Sequence, residues 1–223
     1  MIDKRCADVD EALAGVGHGT VLMIGGFGEV GVPDRLIDGL LDRHVRELTV
    51  IANNAGAGEH GLAALIREGA VARIICSYPR SPGSIWFERA YAAGTIELEL
   101  VPQGTLTERI RAGGAGIPAF YTAVGVGTDI ARGRETAVFD GREYLLERAL
   151  TADVALLRAR SADRWGNLCY HATARNFAPT MAAAATLTVV QAEEIVELGK
   201  LDPEEIVTPG VYVDRVLGPG DGA

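Results

Sequence analysis

Four short segments carry most of the groups that could engage a ligand: GGFGEVG (Gly25 to Gly31), ANNAG (52–56), CSYPRSPG (76–83) and VPQGT (101–105). They supply glycine N–H groups, the amides of Asn53, Asn54 and Gln103, a Ser77-Tyr78 pair and the guanidinium of Arg80. These are largely donors, the kind of group that stabilises a carbonyl oxygen as acyl chemistry builds negative charge on it. No nucleophile-base pair accompanies them. There is no G-x-S-x-G and no H-E-x-x-H, and the four histidines (His18, His44, His60, His171) sit apart, mostly in charged or polar contexts. Cys76 is the best lone-nucleophile candidate, but without an adjacent histidine it reads as a buried structural thiol. Glu29 and Glu59 read as solvated loop carboxylates. Such a pocket binds and polarises; if its chemistry is acyl transfer, the nucleophile comes from another chain.

Gly26, Gly28 and Gly31 spell G-x-G-x-x-G behind the apolar run TVLMI, the spacing of a dinucleotide-binding turn. A strand, a glycine loop and a helix in succession suit an anion site at the helix N-terminus. The bare alternative is a tight turn that needs positive φ. For NAD the next strand should end in a carboxylate that holds the ribose hydroxyls, and here it ends in Ala52-Asn53-Asn54. Pro33 also truncates the loop where the dinucleotide helix begins packing, so NAD is the weaker reading.

The elements that would position these groups follow from hydrophobic periodicity. VDEALAG opens a short helix behind Asp8, TVLMI (20–24) is a buried strand, and PDRLIDGLLDRH is a helix from Pro33 with Leu36, Ile37, Leu40 and Leu41 on one face. ELTVIA (47–52), VARIIC (71–76) and IELELV (96–101) read as strands, separated by the helices GLAALIREG and SIWFERAYAAG and followed by TLTERIRAGG. This βαβα series predicts an α/β fold with a mainly parallel open sheet and flanking helices. The second half differs. ETAVF-DG-REYLLERAL is a hairpin centred on Asp140-Gly141; DVALLRAR, NLCYH, TLTVVQ and AEEIVEL read as further strands around an Ala-rich helix, TMAAAA. The expectation is one domain over 1–223 with an antiparallel extension, a core at about 8–217 and a flexible tail at 218–223.

The 223 residues are 48% hydrophobic, enough to bury a core, and the net charge of −9 leaves no basic excess for nucleic acid. Cys6, Cys76 and Cys169 lie far apart without C-x-x-C spacing, which argues against a disulfide framework or zinc site and for a reducing cytoplasm. The N-terminus lacks a secretory apolar region, and no apolar run approaches the ~18 residues that span a bilayer. A cytoplasmic protein is expected.

GGFGEVGVP, ANNAG, ELELVPQGTLTERIRAGGAGIPAFYT, DRWGN, ARNF and VTPGVYVDRV run in order from about Ala12 to Leu217 and resemble the A-type subunit of the 3-oxoacid CoA-transferases. CSYPR, SADRWGNLCYHATARNFAP and ELGKLDPEEIVTPG are more similar to the 3-oxoadipate branch than to the acetoacetate branch. One departure is His18-Gly19, where the family usually carries Asp or Asn followed by Gly or Asn; it falls in the turn entering the strand.

The resemblance implies the CoA-transferase superfamily fold and a B-type partner subunit, in a heterodimer or heterotetramer. A glutamate of that partner would attack an acyl-CoA such as succinyl-CoA, giving a mixed anhydride and then a glutamyl-CoA thioester that passes CoA to a second acid. CoA would be a substrate, with no permanently bound cofactor and no metal. Gly25, Gly26, Phe27, Gly28, Glu29, Val30 and Gly31 would form the CoA loop, and Asn53, Asn54 and Gln103 would orient the glutamate and carbonyl oxygens. Arg80 is the candidate cation for the second carboxylate of 3-oxoadipate. Gly113, Gly114 and Gly116 allow a close approach at a loop or at the partner, or simply a helix C-cap. SADRWGN and ARNF are assigned structural or interface roles. Acetoacetate as acceptor, or a non-catalytic CoA- or phosphate-binding module on the same fold, are the competing readings.

Overall fold

The computed structural model describes residues 2–220. The chain enters through a two-residue strand β1 (Arg5–Cys6) and helix α1 (Val9–Ala12), whose Asp8 cap accepts from the Glu11 N–H. It then alternates β2 (Val21–Ile24), α2 (Asp34–Asp42), β3 (Leu48–Ile51), α3 (Gly61–Arg67), β4 (Val71–Cys76), α4 (Ile85–Ala92), β5 (Glu97–Leu100) and α5 (Gln103–Gly114). A small sheet of β6 (Ala119–Thr122), β7 (Thr136–Phe139) and β8 (Arg142–Arg148) interrupts this series. The chain returns through β9 (Ala152–Asp163), β10 (Leu168–Cys169), α6 (Ala178–Ala182), β11 (Ala185–Val196) and β12 (Arg215–Leu217).

The main sheet runs β1-β12-β11-β9-β2-β3-β4-β5, parallel at every step, with β10 folded antiparallel onto β9. The expected antiparallel extension is the separate sheet β6-β8-β7, turned at Asp140 (φ 50°) and Gly141 (φ 75°). The strands DVALLRAR and TLTVVQ do not belong to it. They become β9 and β11, pair parallel with each other, and set β9 beside β2. AEEIV continues β11 instead of forming an element of its own.

Alternation along the strands divides the core between two faces. Leu22, Ile24, Val50, Val154 and Leu156 pack with α1, α2, α3 and α4, while Met23, Ile51, Ala155 and Leu157 pack with α5 and α6. Helices this short are unstable alone. They are held by burial, at ~2 kcal/mol for each fully covered Leu or Ile, such as Leu36, Ile37 and Leu40 of α2. Gly113 and Gly114 lie so close to the backbone at Leu150 and Ala183 that a Cβ would clash, and Gly116 (φ 70°) ends the helix region. Their close approach is therefore within this chain.

The tail begins against α2. Gly218 accepts from Arg35 Nη1 at 2.5 Å and Gly220 lies against the same guanidinium; positions 221–223 lie outside the described residues.

Candidate functional site

Strand order reverses beside β2: the chain proceeds from β2 to β3, β4 and β5 on one side, and returns as β9, β11 and β12 on the other. Crevices at the carboxyl ends of strands beside such a reversal are where open α/β sheets take ligands. The GGFGEVG loop stands on the end of β2 at this place. Phe27 and Val30 exchange both backbone hydrogen bonds (3.0 and 3.1 Å), so the loop is a miniature hairpin with Gly28 and Glu29 at its tip. Gly28 (φ 60°) sits in the left-handed region at that tip, where a side chain would be strained. The N–H groups of Gly28, Glu29 and Gly31 have no acceptor among the described residues.

The helix after the loop does not complete an anion site. Pro33 is its N-cap and not its first residue, Arg35 N donates to the buried Gln191 Oε1 at 3.0 Å, and Asp34 adds a carboxylate there. The loop's free donors are its own.

On the β3 side the loop closes a small pocket lined by Gly25, Gly26, Gly28, Glu29, Asn53, Asn54, His60 and neighbouring apolar atoms. Asn53 is 4% exposed; its Oδ1 lies 2.9 Å from the Ser77 hydroxyl, and its carbonyl accepts from the Ser77 and Tyr78 N–H groups. Its amide NH2 has no protein acceptor among the described residues. Asn54 is committed differently: Oδ1 accepts from Gly56 N at 2.8 Å, and Nδ2 donates to Gly28 O at 3.4 Å, tying β3 to the loop tip.

Among the described residues Glu29 and His60 are the only ionisable side chains lining this pocket, and that lining contains no Ser, Thr, Cys or Lys. Burial pushes the Cys76 thiol up to about 12, keeping it protonated and inert. Glu59 pairs with Arg67 at 2.9 Å on the surface.

Gln103 is the residue the fold keeps out of the pocket. It is exposed as the first residue of α5 at the end of β5, two strands from β3 and so roughly 10 Å along the sheet edge. Its side-chain amide has no partner among the described residues. Arg80 also stands outside the pocket lining: it is exposed, and its Nε is 4.0 Å from Glu88. Its loop is nevertheless fastened to the pocket wall, through Ser77 at Asn53 and Ser84 Oγ donating to Gly56 O at 2.9 Å.

On the β9 side the hairpin's Phe27 and Val30 line a broader cavity with Tyr170, Thr173, Arg175 and Asn176. Burial raises the Tyr170 hydroxyl to about 12, so it is no base at neutral pH. His18 accepts from Arg46 N at 2.9 Å and lies outside both cavities. Asp163 accepts from Trp165 N, Asn167 N and Asn167 Nδ2, which makes SADRWGN a structural turn. ARNF is different, because Asn176 within it grips the glycine loop. Neither His60 nor Asn176 stands out among the candidates in sequence: no spacing rule identifies a lone histidine or asparagine that reaches the site through tertiary structure.

A model of the coenzyme A transferase family matches residues 6–218. The chain is 52% identical to the A-type subunit of 3-oxoadipate CoA-transferase from Pseudomonas putida, over 97% of this chain and 94% of that one. It is 53% identical to the A-type subunit of succinyl-CoA:3-ketoacid coenzyme A transferase from Xanthomonas campestris, over 96% of this chain and 88% of the other. Among solved structures, an acyl-CoA transferase from E. coli O157:H7 in a thioester complex with CoA superposes with a TM-score of 0.87 at 23% identity, covering 99% of this chain and 50% of that chain. This last likeness is one of fold, and the chain spans about half that enzyme's length. Sequence match, fold and a donor-rich pocket at the strand ends agree: the chain belongs to the coenzyme A transferase family.

Proposed function

We propose that the chain is the A-type subunit of a succinyl-CoA:3-oxoadipate CoA-transferase and works in a complex with a B-type partner that carries the nucleophilic glutamate. The observation that carries this reading is a pocket lined by Asn53 and the loop N–H groups, whose described lining holds no Ser, Thr, Cys or Lys and only one carboxylate, Glu29. The names of relatives more than 50% identical to it support the division into two kinds of chain. So does the length of the solved acyl-CoA transferase, of which this chain matches half.

In the reaction, a carboxylate oxygen of the partner's glutamate attacks the succinyl carbonyl carbon and CoA leaves as a thiolate. The thiolate then attacks the glutamyl carbonyl of the mixed anhydride, releasing succinate and leaving glutamyl-CoA. A carboxylate of 3-oxoadipate repeats the two steps in reverse and leaves as its CoA thioester. Each step places negative charge on a carbonyl oxygen, where one preorganised donor supplies ~3 kcal/mol. Asn53 and the 25–31 loop act there, Asn54 sets the loop's position, and Gln103 serves a group lying along the sheet edge toward β5. No step needs a resident metal or cofactor, and a reducing cytoplasm suits the three free cysteines.

The acceptor is not decided by identities of 52% and 53% to relatives named for different acids. 3-Oxoadipate is favoured by the CSYPR segment, whose exposed Arg80 can meet a second carboxylate. The test is co-expression with the B-type partner and assay with both acids. The expected result is no activity for the lone chain, transfer by the complex, and a KM for 3-oxoadipate that Arg80→Ala raises about tenfold more than that for acetoacetate. An active lone chain contradicts the division of labour; equal effects on the two acids contradict the role of Arg80.

A further inference from the structure

Asn176 lies in the connection from β10 to α6, across the sheet reversal from the pocket, yet its one amide makes four hydrogen bonds, two of them to the glycine loop. Oδ1 accepts from Gly26 N at 3.0 Å and from Phe177 N at 2.6 Å; Nδ2 donates to Val30 O at 3.3 Å and to Ala174 O at 2.7 Å. The side chain thus holds both legs of the hairpin and its own backbone at once. Asn176 adopts φ 33°, ψ −122°, a conformation that favours glycine. A strained backbone of this kind persists only where surrounding contacts hold it. Gly31 confirms how closely the two segments meet: a Cβ there would stand 2.5 Å from Ala174 O and 2.6 Å from Asn176 Nδ2. With Asn54 holding Gly28 O from the other side, the hairpin hangs between two amides, and its tip N–H groups are left free.

We propose that Asn176 is a positioning residue of the reaction: it touches no substrate, and it fixes the base of the 26–31 hairpin so that the tip N–H groups meet the thioester ligand in register. This rests on the CoA-transferase reading, since the register matters only if the loop binds the reacting thioester. Loss of the amide leaves the hairpin standing on Gly26 and Gly31, two residues with positive φ and wide conformational freedom. A displacement of about 1 Å in a positioning element is enough to lower turnover about 10²-fold.

The test compares wild type, Asn176→Gly and Asn176→Asp in the complex with the B-type partner. Glycine accepts the backbone conformation and removes only the hook; aspartate keeps the acceptor for Gly26 N and loses both donors. The expected results are a kcat about 10²-fold lower for Asn176→Gly and about tenfold lower for Asn176→Asp, with KM changing far less. Amide exchange of the 25–31 segment should rise in the same order, with the thermal midpoint of Asn176→Gly close to wild type. Wild-type kcat in Asn176→Gly, or a loss of kcat with exchange unchanged, overturns the proposal. If the wild-type complex transfers no CoA, the functional reading falls, and exchange alone still decides whether Asn176 holds the loop. If Asn176→Gly fails to fold, the aspartate variant carries the same comparison.

Discussion

On the proposed mechanism, Asn53 is the side chain that polarises within the pocket. Its oxygen is held by Ser77 and its NH2 is free, so Asn53→Ala removes one buried, preoriented donor. Turnover of the complex should fall about 10²-fold, in keeping with ~3 kcal/mol for one such donor, while gel filtration shows the complex intact. Ser77→Ala should cost less, because the amide stays and loses only its orientation. Unchanged turnover in Asn53→Ala removes the amide from the chemistry. Asn53 was legible in sequence because strand ends collect ligands and two adjacent amides replace the carboxylate that NAD demands. Cys76 was legible as inert for want of a neighbouring histidine. Asn176 was not, because its significance lies in two contacts, to Gly26 and Val30, 150 and 146 positions away.

The elements were legible wherever periodicity is local, as in the β2–α5 series, the Asp140-Gly141 hairpin and the glycine-terminated helices. Strand order was not. Nothing in the spacing of DVALLRAR or TLTVVQ places β9 between β11 and β2, a choice made by pairing over more than a hundred residues. Gln103 shows the consequence, since its strand end lies two positions along the edge from Asn53. The small sheet is fastened to the main one by charge. Arg109, buried in α5, donates to Glu99 of β5 at 2.6 Å and to the Arg148 carbonyl at 2.7 Å, and lies 3.7 Å from the buried Glu147 of β8. Burial pushes the Glu99 carboxyl up, but hydrogen bonds from Arg109 and Arg73 outweigh it and hold the group below its ordinary value of 4.5. A lowered folded-state value means the pairing stabilises the chain fully above the unfolded-state value and loses that contribution as pH falls through the folded one. Glu99→Gln should therefore destabilise by about 2 kcal/mol at pH 7 in urea unfolding. The gap from wild type should narrow from about pH 5 downward, and a gap independent of pH contradicts the charged pairing.

At the scale of the whole molecule, the proposed reaction needs a second chain. This chain's carboxyl edge carries donors and the exposed apolar Phe27–Val30 pair of the hairpin, beside a broad cavity. Among the described residues no helix is long and apolar enough to cross a membrane. On the proposed mechanism this chain polarises and another chain attacks. Among the described residues Glu29 is the one carboxylate lining the pocket, and so the one place within it where a glutamyl-CoA thioester on this chain could form. The most direct measurement is intact and peptide mass spectrometry of the two-chain complex incubated with succinyl-CoA in the absence of an acceptor acid. The expected result is a CoA adduct on a glutamate of the partner, with this chain at its unmodified mass. An adduct on the Glu29 peptide, with the partner unmodified, would contradict it.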